Sequence, residues 1–202
     1  FFYQPELLKN DFFSVFLPFS FKNGFEFTGF RGLASHGAAI GIIVAMYFYS
    51  KKVLKKPILW ILDRIVIAVA CGAIFVRIGN FINSEIIGKA TNSDFGVVFK
   101  QLGEDFPRHP AQLYESFCYV FVFAILYYFY WKTNKSKQMG YLLGMFLVLL
   151  WTVRFFVEFV KVAQVDERSE WVLNTGQWLS IPFIVVGAYL MISSPKRPVP
   201  NE

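Results

Sequence analysis

The chain has 202 residues, of which 55% are hydrophobic and 20% are aromatic. That apolar fraction exceeds what the core of a soluble domain of this length needs, so the excess indicates a chain that lies in lipid. Charged residues make up only 17% of the chain, and they cluster between long apolar stretches instead of alternating with them as on a solvated helix face. The composition therefore argues against an ordinary soluble domain.

The net charge of +6 does not by itself indicate a nucleic-acid partner. The densest basic runs, Lys51 to Lys56 and Lys132 to Lys137, each lie directly beside an apolar stretch, where membrane topology explains them better than DNA binding does. Cys71 and Cys118 lie inside apolar stretches without the paired spacing of a thiolate metal site or a disulfide framework. We expect both thiols to be inert, and we expect no metal site and no nucleic-acid partner.

Residues 1–35 are interrupted by prolines and glycines, which makes them unsuited to a membrane span. They are too apolar for a free tail, so we expect an arm at the outer membrane interface with room for short strands. The chain opens without an initiator methionine or a signal peptide, and we expect that N-terminal residues are absent.

Five later stretches are long and apolar enough to be predicted as spanning helices: residues 36–50, 58–80, 112–131, 139–160 and 176–193. They lack the alternation of a membrane β-barrel, and helices satisfy every backbone group within the segment. The predicted fold class is an all-α integral membrane protein, with a helical bundle over residues 36–193 and a cytoplasmic tail over residues 194–202.

The basic residues also predict the topology of these spans. Those at 51–56, 132–137 and 196–197 fall on every second connection, and the positive-inside rule places such connections in the cytoplasm. By parity, the outer side receives residues 1–35, 81–111 and 161–175.

Charged side chains at the span ends are the most informative residues, because each costs about 2.5–3.5 kcal/mol to insert into lipid and needs a partner or a purpose. Arg154 and Glu158 lie four residues apart on one face of the fourth span, for which a structural ion pair is the alternative explanation. Arg77 and Asn80 share a face at the end of the second span, and polar or small residues follow them: Asn83, Glu85 and Gly88.

Two further segments carry polar residues to the same predicted side. His36 lies at the outer mouth of the first span between small residues that allow a backbone or a ligand to approach, although a structural role is the alternative. The third span begins at Pro110 with polar residues around its first turn, which alone would indicate helix capping: Arg108, His109, Gln112, Tyr114 and Glu115.

A reaction centre at one face of the membrane explains why these segments all place polar residues on that side. Two arginines with nearby amides and carboxylates suit an anionic phosphate diester, because a guanidinium matches phosphate oxygens bidentately, and His36 could shuttle a proton. A transporter or channel is the alternative function, but it would require polar residues through the full membrane depth. A purely structural membrane subunit explains the motifs least well.

These motifs together resemble the prolipoprotein diacylglyceryl transferase family, in chain order over residues 30–193. The resemblance rests on Ser35-His36-Gly37, the run from Arg77 to Gly88, Arg108 to Glu115, Arg154 to Glu158, and Gly176-Gln177. It implies about seven spans in a complete member, so two N-terminal spans would be absent here. This chain has Ala34-Ser35-His36-Gly37-Ala38 where many members have a Ser-Phe-His-Gly-Gly type of run.

The resemblance implies transfer of the diacylglyceryl group of phosphatidylglycerol to the lipobox cysteine thiol of a prolipoprotein signal peptide, which forms a thioether and releases glycerol phosphate. It implies a multi-pass protein of the bacterial inner membrane whose partners are that lipid and that peptide, with no metal or organic cofactor. His36, Arg77, Arg154 and Glu158 become the expected catalytic residues, with Arg77 and Arg154 on the phosphate and Glu158 fixing Arg154. His36 is the expected base and His109 its rival. Asn80 is expected to orient the phosphate, and Glu85 is expected to hold the glycerol head group. All the residues expected to contact substrate are Asn80, Asn83, Glu85, Gly88, Arg108, His109, Gln112, Tyr114 and Glu115.

Overall fold

The computed structural model of the protein describes residues 19–20, 26–27, 35–91, 95–162 and 173–197. The chain divides into two compact units, residues 1–58 and residues 59–202. Most of the predicted arm lies outside the described residues, so its interfacial position stays a prediction.

The first unit contains a short hairpin and one helix among its described residues. Strand β1 (Phe19–Ser20) pairs antiparallel with β2 (Glu26–Phe27), and helix α1 covers Ser35–Tyr49. A π-helical turn, Ser50–Leu54, follows and ends at Lys55, which has a positive φ of 51°. The hairpin is the only sheet in the described part of the chain. Apart from this element, the described part agrees with the predicted all-α class.

Four helices form the second unit in the part that the structure describes: α2 (Ile58–Ile82), α3 (Ala111–Lys132), α4 (Tyr141–Val157) and α5 (Thr175–Ser193). Side chains of α2, α3 and α4 form one apolar core, made of Val66, Ala70, Tyr119, Val122, Leu126, Leu142 and Met145. Helices α4 and α5 approach closely at two glycines, since a Cβ on Gly144 would lie 2.5 Å from the carbonyl oxygen of Gly187. Small residues are what permit such backbone contact between membrane helices.

Three helical segments among the described residues are long and apolar enough to cross a membrane: Ile58–Ile82, Ala111–Lys132 and Gly176–Lys196. Large apolar side chains such as Phe75, Phe117 and Val185 stay exposed on them, as lipid-facing residues should. The prediction of a helical membrane protein is confirmed.

The prediction of five full-length spans is wrong for the described helices. Helix α1 has 15 residues and α4 has 17, so they measure only roughly 22–26 Å against a hydrocarbon core of about 30 Å. Helix α4 ends at Val157, before the predicted residue 160, because the chain turns there and Gly88 pairs with Lys161 in an antiparallel bridge.

A buried carboxylate organises the end of the second unit that is remote from Arg77. Asp63 of α2 is only 2% exposed, and its side chain accepts the backbone N–H groups of Gly140 at 2.5 Å and of Leu143 at 2.8 Å. Gly140 precedes α4 with a φ of 84°. Asp63 therefore caps the N-terminus of α4 from another helix, and it contributes both hydrogen bonds and a favourable interaction with the helix dipole.

Replacing Asp63 by alanine should lower the thermal stability of the purified protein in detergent. The change removes two charge-assisted hydrogen bonds and leaves two helix-terminal N–H groups without their acceptor, which should cost about 2 kcal/mol or more. The melting temperature should fall by several degrees, as followed by differential scanning fluorimetry. Asp105→Ala, at an exposed loop carboxylate, is the matched control, and equal melting temperatures for the two variants would contradict the capping role.

Candidate functional site

The segment that follows α2 is held between two other parts of the chain. The Gly88 N–H donates to the carbonyl oxygen of His109 at 3.1 Å, and the His109 N–H donates to Lys89 at 3.0 Å. On the other edge, the Lys89 N–H donates to Val160 at 2.7 Å. Any Cβ on Gly88 would collide with the His109 carbonyl, so only glycine fits there. These bonds bring the ends of α2, α3 and α4 to one side of the unit.

A chain of hydrogen bonds runs from the last turns of α2 into this segment. Arg77 Nη1 donates to Asn80 Oδ1 at 3.1 Å, and Asn80 Nδ2 donates to Glu85 Oε2 at 2.8 Å. The turn that returns Glu85 to the helix end uses positive φ values at Ser84 (55°) and Ile86 (54°). The predicted grouping of Arg77, Asn80 and Glu85 is therefore present in the structure.

Glu115 on α3 lies at the centre of the site and has a side chain that is 0% exposed. Its Oε2 forms an ion pair with Arg77 Nε at 2.8 Å but accepts no hydrogen bond from the described residues. Its Oε1 accepts a hydrogen bond from Lys161 Nζ at 2.7 Å. One buried carboxylate thus pairs with two cations from distant parts of the chain, which is how a charge at this depth is compensated.

Glu158 lies just beyond α4 and faces the beginning of α5. Its Oε2 is 3.7 Å from Lys161 Nζ, and a Cβ on Gly176 would lie 2.5 Å from its Oε1. Asn174 Nδ2 donates to the Glu158 carbonyl at 3.2 Å, while Asn174 and Gln177 form a capping box on α5. A carboxylate near a helix N-terminus is stabilised by the helix dipole.

The ion pair between Arg154 and Glu158, which is the alternative explanation of their spacing, is not formed. Among the ion pairs of the described residues, Glu158 has Lys161 as its partner, and Arg154 Nε is buried without a hydrogen-bond acceptor. The Arg154 guanidinium lies 5.2 Å from the centre of the Trp151 ring. The four-residue spacing allows Arg154 and Glu158 to pair, but Glu158 pairs with Lys161, which lies beyond the end of α4.

Arg77 and Arg154 both lie within electrostatic range of the Tyr119 hydroxyl. Both guanidinium groups, from α2 and α4, thus act on the same residue of α3. We call Arg77, Glu115, Arg154, Glu158 and Lys161 the charge cluster. Three cations and two carboxylates leave it with one net positive charge.

The structure describes the contacts of some of the other predicted site residues. Gln112 is fully buried and donates to the Glu85 carbonyl at 2.5 Å, while its own Oε1 has no partner among the residues that the structure describes. His109 Nδ1 lies 3.3 Å from the Tyr114 hydroxyl, and Asn83 is exposed. His36 is the second residue of α1 in the first unit, and its side chain lies outside the described part.

Arg108 is engaged within its own loop. Its Nε and Nη2 donate to the two carboxylate oxygens of Glu104 at 2.5 and 2.6 Å. These bonds lower the pKa of the Glu104 carboxyl and raise the pKa of the Arg108 guanidinium. Its charge is therefore already matched by a carboxylate, unlike that of Arg154.

Lys161 belongs to the charge cluster, although the sequence did not single it out as a candidate site residue. It is only 4% exposed, whereas the sequence places it in an outer loop of mixed charge. Its position three residues after Glu158 is the one local signal, since residues at that spacing can meet on a helix. Its bond to Glu115 joins residues 46 positions apart, which no local pattern reveals.

The cluster is separated from Asp63, at the other end of α2, by the apolar core of the second unit. The buried residues of this core are apolar apart from the Tyr119 hydroxyl, whereas a conduit would require polar residues through the full depth. Nor do three or more His, Cys, Asp or Glu side chains converge as metal ligands within the described ranges. The arrangement can hold one monoanion at one end of the helices.

The chain is similar to known proteins along most of its length. The family model for prolipoprotein diacylglyceryl transferase matches residues 12–193. A protein of Bacteroides fragilis named phosphatidylglycerol–prolipoprotein diacylglyceryl transferase is 41% identical over 198 residues, which cover 97% of this chain and 71% of the relative. A relative of the same name from Tolumonas auensis is 42% identical over 166 residues, covering 82% of this chain and 64% of the relative. One from Porphyromonas gingivalis is 39% identical over 184 residues, covering 85% and 65%.

The family match covers most of the chain, and the motifs that carry the resemblance lie within it. The chain spans about two thirds of the length of these relatives. The resemblance drawn from the motifs is therefore confirmed: the chain belongs to the prolipoprotein diacylglyceryl transferase family.

Proposed function

We propose that this chain transfers the diacylglyceryl group of phosphatidylglycerol to the thiol of the lipobox cysteine of prolipoproteins. In this proposal the site opens on the outer face of the bacterial inner membrane, the product is a thioether, and glycerol phosphate leaves. Family membership and the names of the relatives support the activity. The observation that carries the proposal is a buried charge cluster with one net positive charge at one end of apolar helices.

The charge of the cluster suits the head group of phosphatidylglycerol, whose phosphodiester carries a single negative charge. Arg154 is the cation without a carboxylate partner among the described residues, so its guanidinium is the first anchor for phosphate. Arg77 offers a second contact, and its bond to Asn80 orients it. A guanidinium can donate two parallel hydrogen bonds to phosphate oxygens, which suits Arg154 to this anion.

The chemical step also favours this arrangement. The cysteine sulfur attacks the glycerol carbon that bears the phosphate, an S–C bond forms, and the C–O bond breaks with its electron pair leaving on the phosphate. The diester monoanion thereby becomes a monoester dianion. Cations that are fixed before the reaction stabilise the charge that develops in the transition state more than the charge of the bound lipid, and that difference lowers the barrier.

The thiol proton must pass to a base, because the thiolate is the nucleophile. His36 is the proposed base, since an imidazole can accept and return a proton near neutral pH. His109 is the rival and has Tyr114 as its neighbour at 3.3 Å. Asn83 and Glu85 are both exposed at the end of α2, and we propose that they meet the glycerol head group.

Replacing Arg154 or Arg77 by alanine should reduce transfer by at least about 100-fold, the typical loss when one preorganised contact to developing charge is removed. Transfer is measured by mass spectrometry of a lipobox peptide after incubation with the reconstituted protein and phosphatidylglycerol. Arg64→Ala is the control, because Arg64 lies at the other end of α2 and stacks on Trp60 at 3.5 Å. Full activity in both Arg77→Ala and Arg154→Ala would contradict the proposed contacts of these arginines with the phosphate.

His36→Gln should lower the transfer rate and leave phosphatidylglycerol binding nearly unchanged. Without a base, transfer depends on ionisation of the peptide thiol, whose ordinary pKa is about 8.5. The rate of His36→Gln should therefore rise more steeply than that of the unmodified protein between about pH 7 and pH 9. His109→Gln is the matched comparison. If His109→Gln shows this pH dependence and His36→Gln does not, the base is His109, and lost lipid binding in His36→Gln would mark a structural role.

A further inference from the structure

Glu158 follows Arg154 by one helical turn, a spacing at which a carboxylate and a guanidinium ordinarily meet. The Glu158 N–H still donates to the Arg154 carbonyl at 3.0 Å, so the helical geometry persists to this point. The carboxylate nevertheless lies beside Lys161 and Gly176. The structure therefore contains a specific arrangement that directs Glu158 away from Arg154.

Lys161 is well suited to hold this arrangement. Its Nζ contacts Glu115 Oε1 at 2.7 Å and Glu158 Oε2 at 3.7 Å. Its backbone is fixed by the antiparallel bridge to Gly88. The ammonium group is thus placed between two carboxylates by contacts that do not involve Arg154.

Gly176 provides the space on the other side of Glu158. A methyl group on Gly176 would lie 2.5 Å from both Glu158 Cδ and Oε1, so the carboxylate could not remain where it is. Asn174 also holds the Glu158 backbone at 3.2 Å. The position of Glu158 therefore depends on a cation at one side and on a missing side chain at the other.

We propose that Lys161 is a positioning residue of the transfer site, which holds Glu158 against the start of α5 and so keeps the Arg154 guanidinium available to the lipid phosphate. The inference rests on the proposed function. A carboxylate paired with Arg154 would have to be displaced by each incoming phosphate, which weakens lipid binding without altering the groups that act on the thiol. The expected effect falls on the KM for phosphatidylglycerol rather than on kcat.

The test compares Lys161→Met with Lys161→Arg in the mass-spectrometric transfer assay, with phosphatidylglycerol varied in mixed micelles. Lys161→Met should raise the KM for the lipid about tenfold, equivalent to about 1.4 kcal/mol, and should change kcat much less. Lys161→Arg keeps a cation and should stay close to the unmodified protein. An unchanged KM in Lys161→Met would overturn the proposal.

A second substitution distinguishes positioning from a simple loss of charge. Adding Glu158→Gln to Lys161→Met restores the net charge and removes the competitor for Arg154, so the KM should return most of the way. Adding Glu115→Gln restores the same net charge but leaves Glu158 free to pair with Arg154, so the KM should stay high. Equal rescue by both, or none by Glu158→Gln, would contradict the positioning role.

Gly176→Ala makes the test independent of whether Lys161→Met folds. It displaces Glu158 without any change of charge, so the KM for the lipid should rise. Adding Glu158→Gln to Gly176→Ala should lower the KM again. A normal KM in Gly176→Ala would contradict the proposal.

The unmodified protein in the same assay separates the proposed function from the role of Lys161. No transfer at all would contradict the proposed function, whereas normal transfer without the predicted pattern of KM values would contradict only the role of Lys161.

Discussion

The arrangement of the site depends on one buried carboxylate, that of Glu115, which is shared by Arg77 and Lys161. A charge so far from water is tolerated only with partners, and removing one partner of a buried pair typically costs about 3–5 kcal/mol. Because Arg77 comes from α2, Glu115 from α3 and Lys161 from the turn after α4, the need to compensate this charge joins three helix ends. The backbone bonds of Gly88 and Lys89 to the neighbouring segments hold the same ends together.

The pairing around Glu115 also determines what the site can bind. Glu115 and Glu158 compensate two of the three cations of the charge cluster, and Arg154 forms no ion pair with a carboxylate among the described residues. One uncompensated guanidinium in apolar surroundings is a strong site for a single anion. The same surroundings increase its effect on negative charge that develops during a reaction. The proposed transfer uses both properties, first to hold a phosphodiester and then to stabilise the leaving phosphate.

Much of the fold and part of the site could be predicted from the sequence, because they depend on hydropathy and on local residue spacing. The helices begin within two residues of the predicted spans. Arg77 and Asn80, which are predicted to share a helix face, are joined by a hydrogen bond. The partner of Glu158 could not be predicted, because spacing shows which side chains can meet and not which of two cations lies closer. The early end of α4 could not be predicted either, because the bridge between Gly88 and Lys161 joins distant segments. Lys161 becomes part of the site only through these long-range contacts.

The most direct test of the central claim is a crystal structure of the chain with phosphatidylglycerol bound. The phosphate is predicted to lie within hydrogen-bonding distance of Arg154 and Arg77, with Lys161 still between Glu115 and Glu158. A phosphate bound elsewhere, with the Arg154 guanidinium paired to a protein carboxylate, would contradict the account.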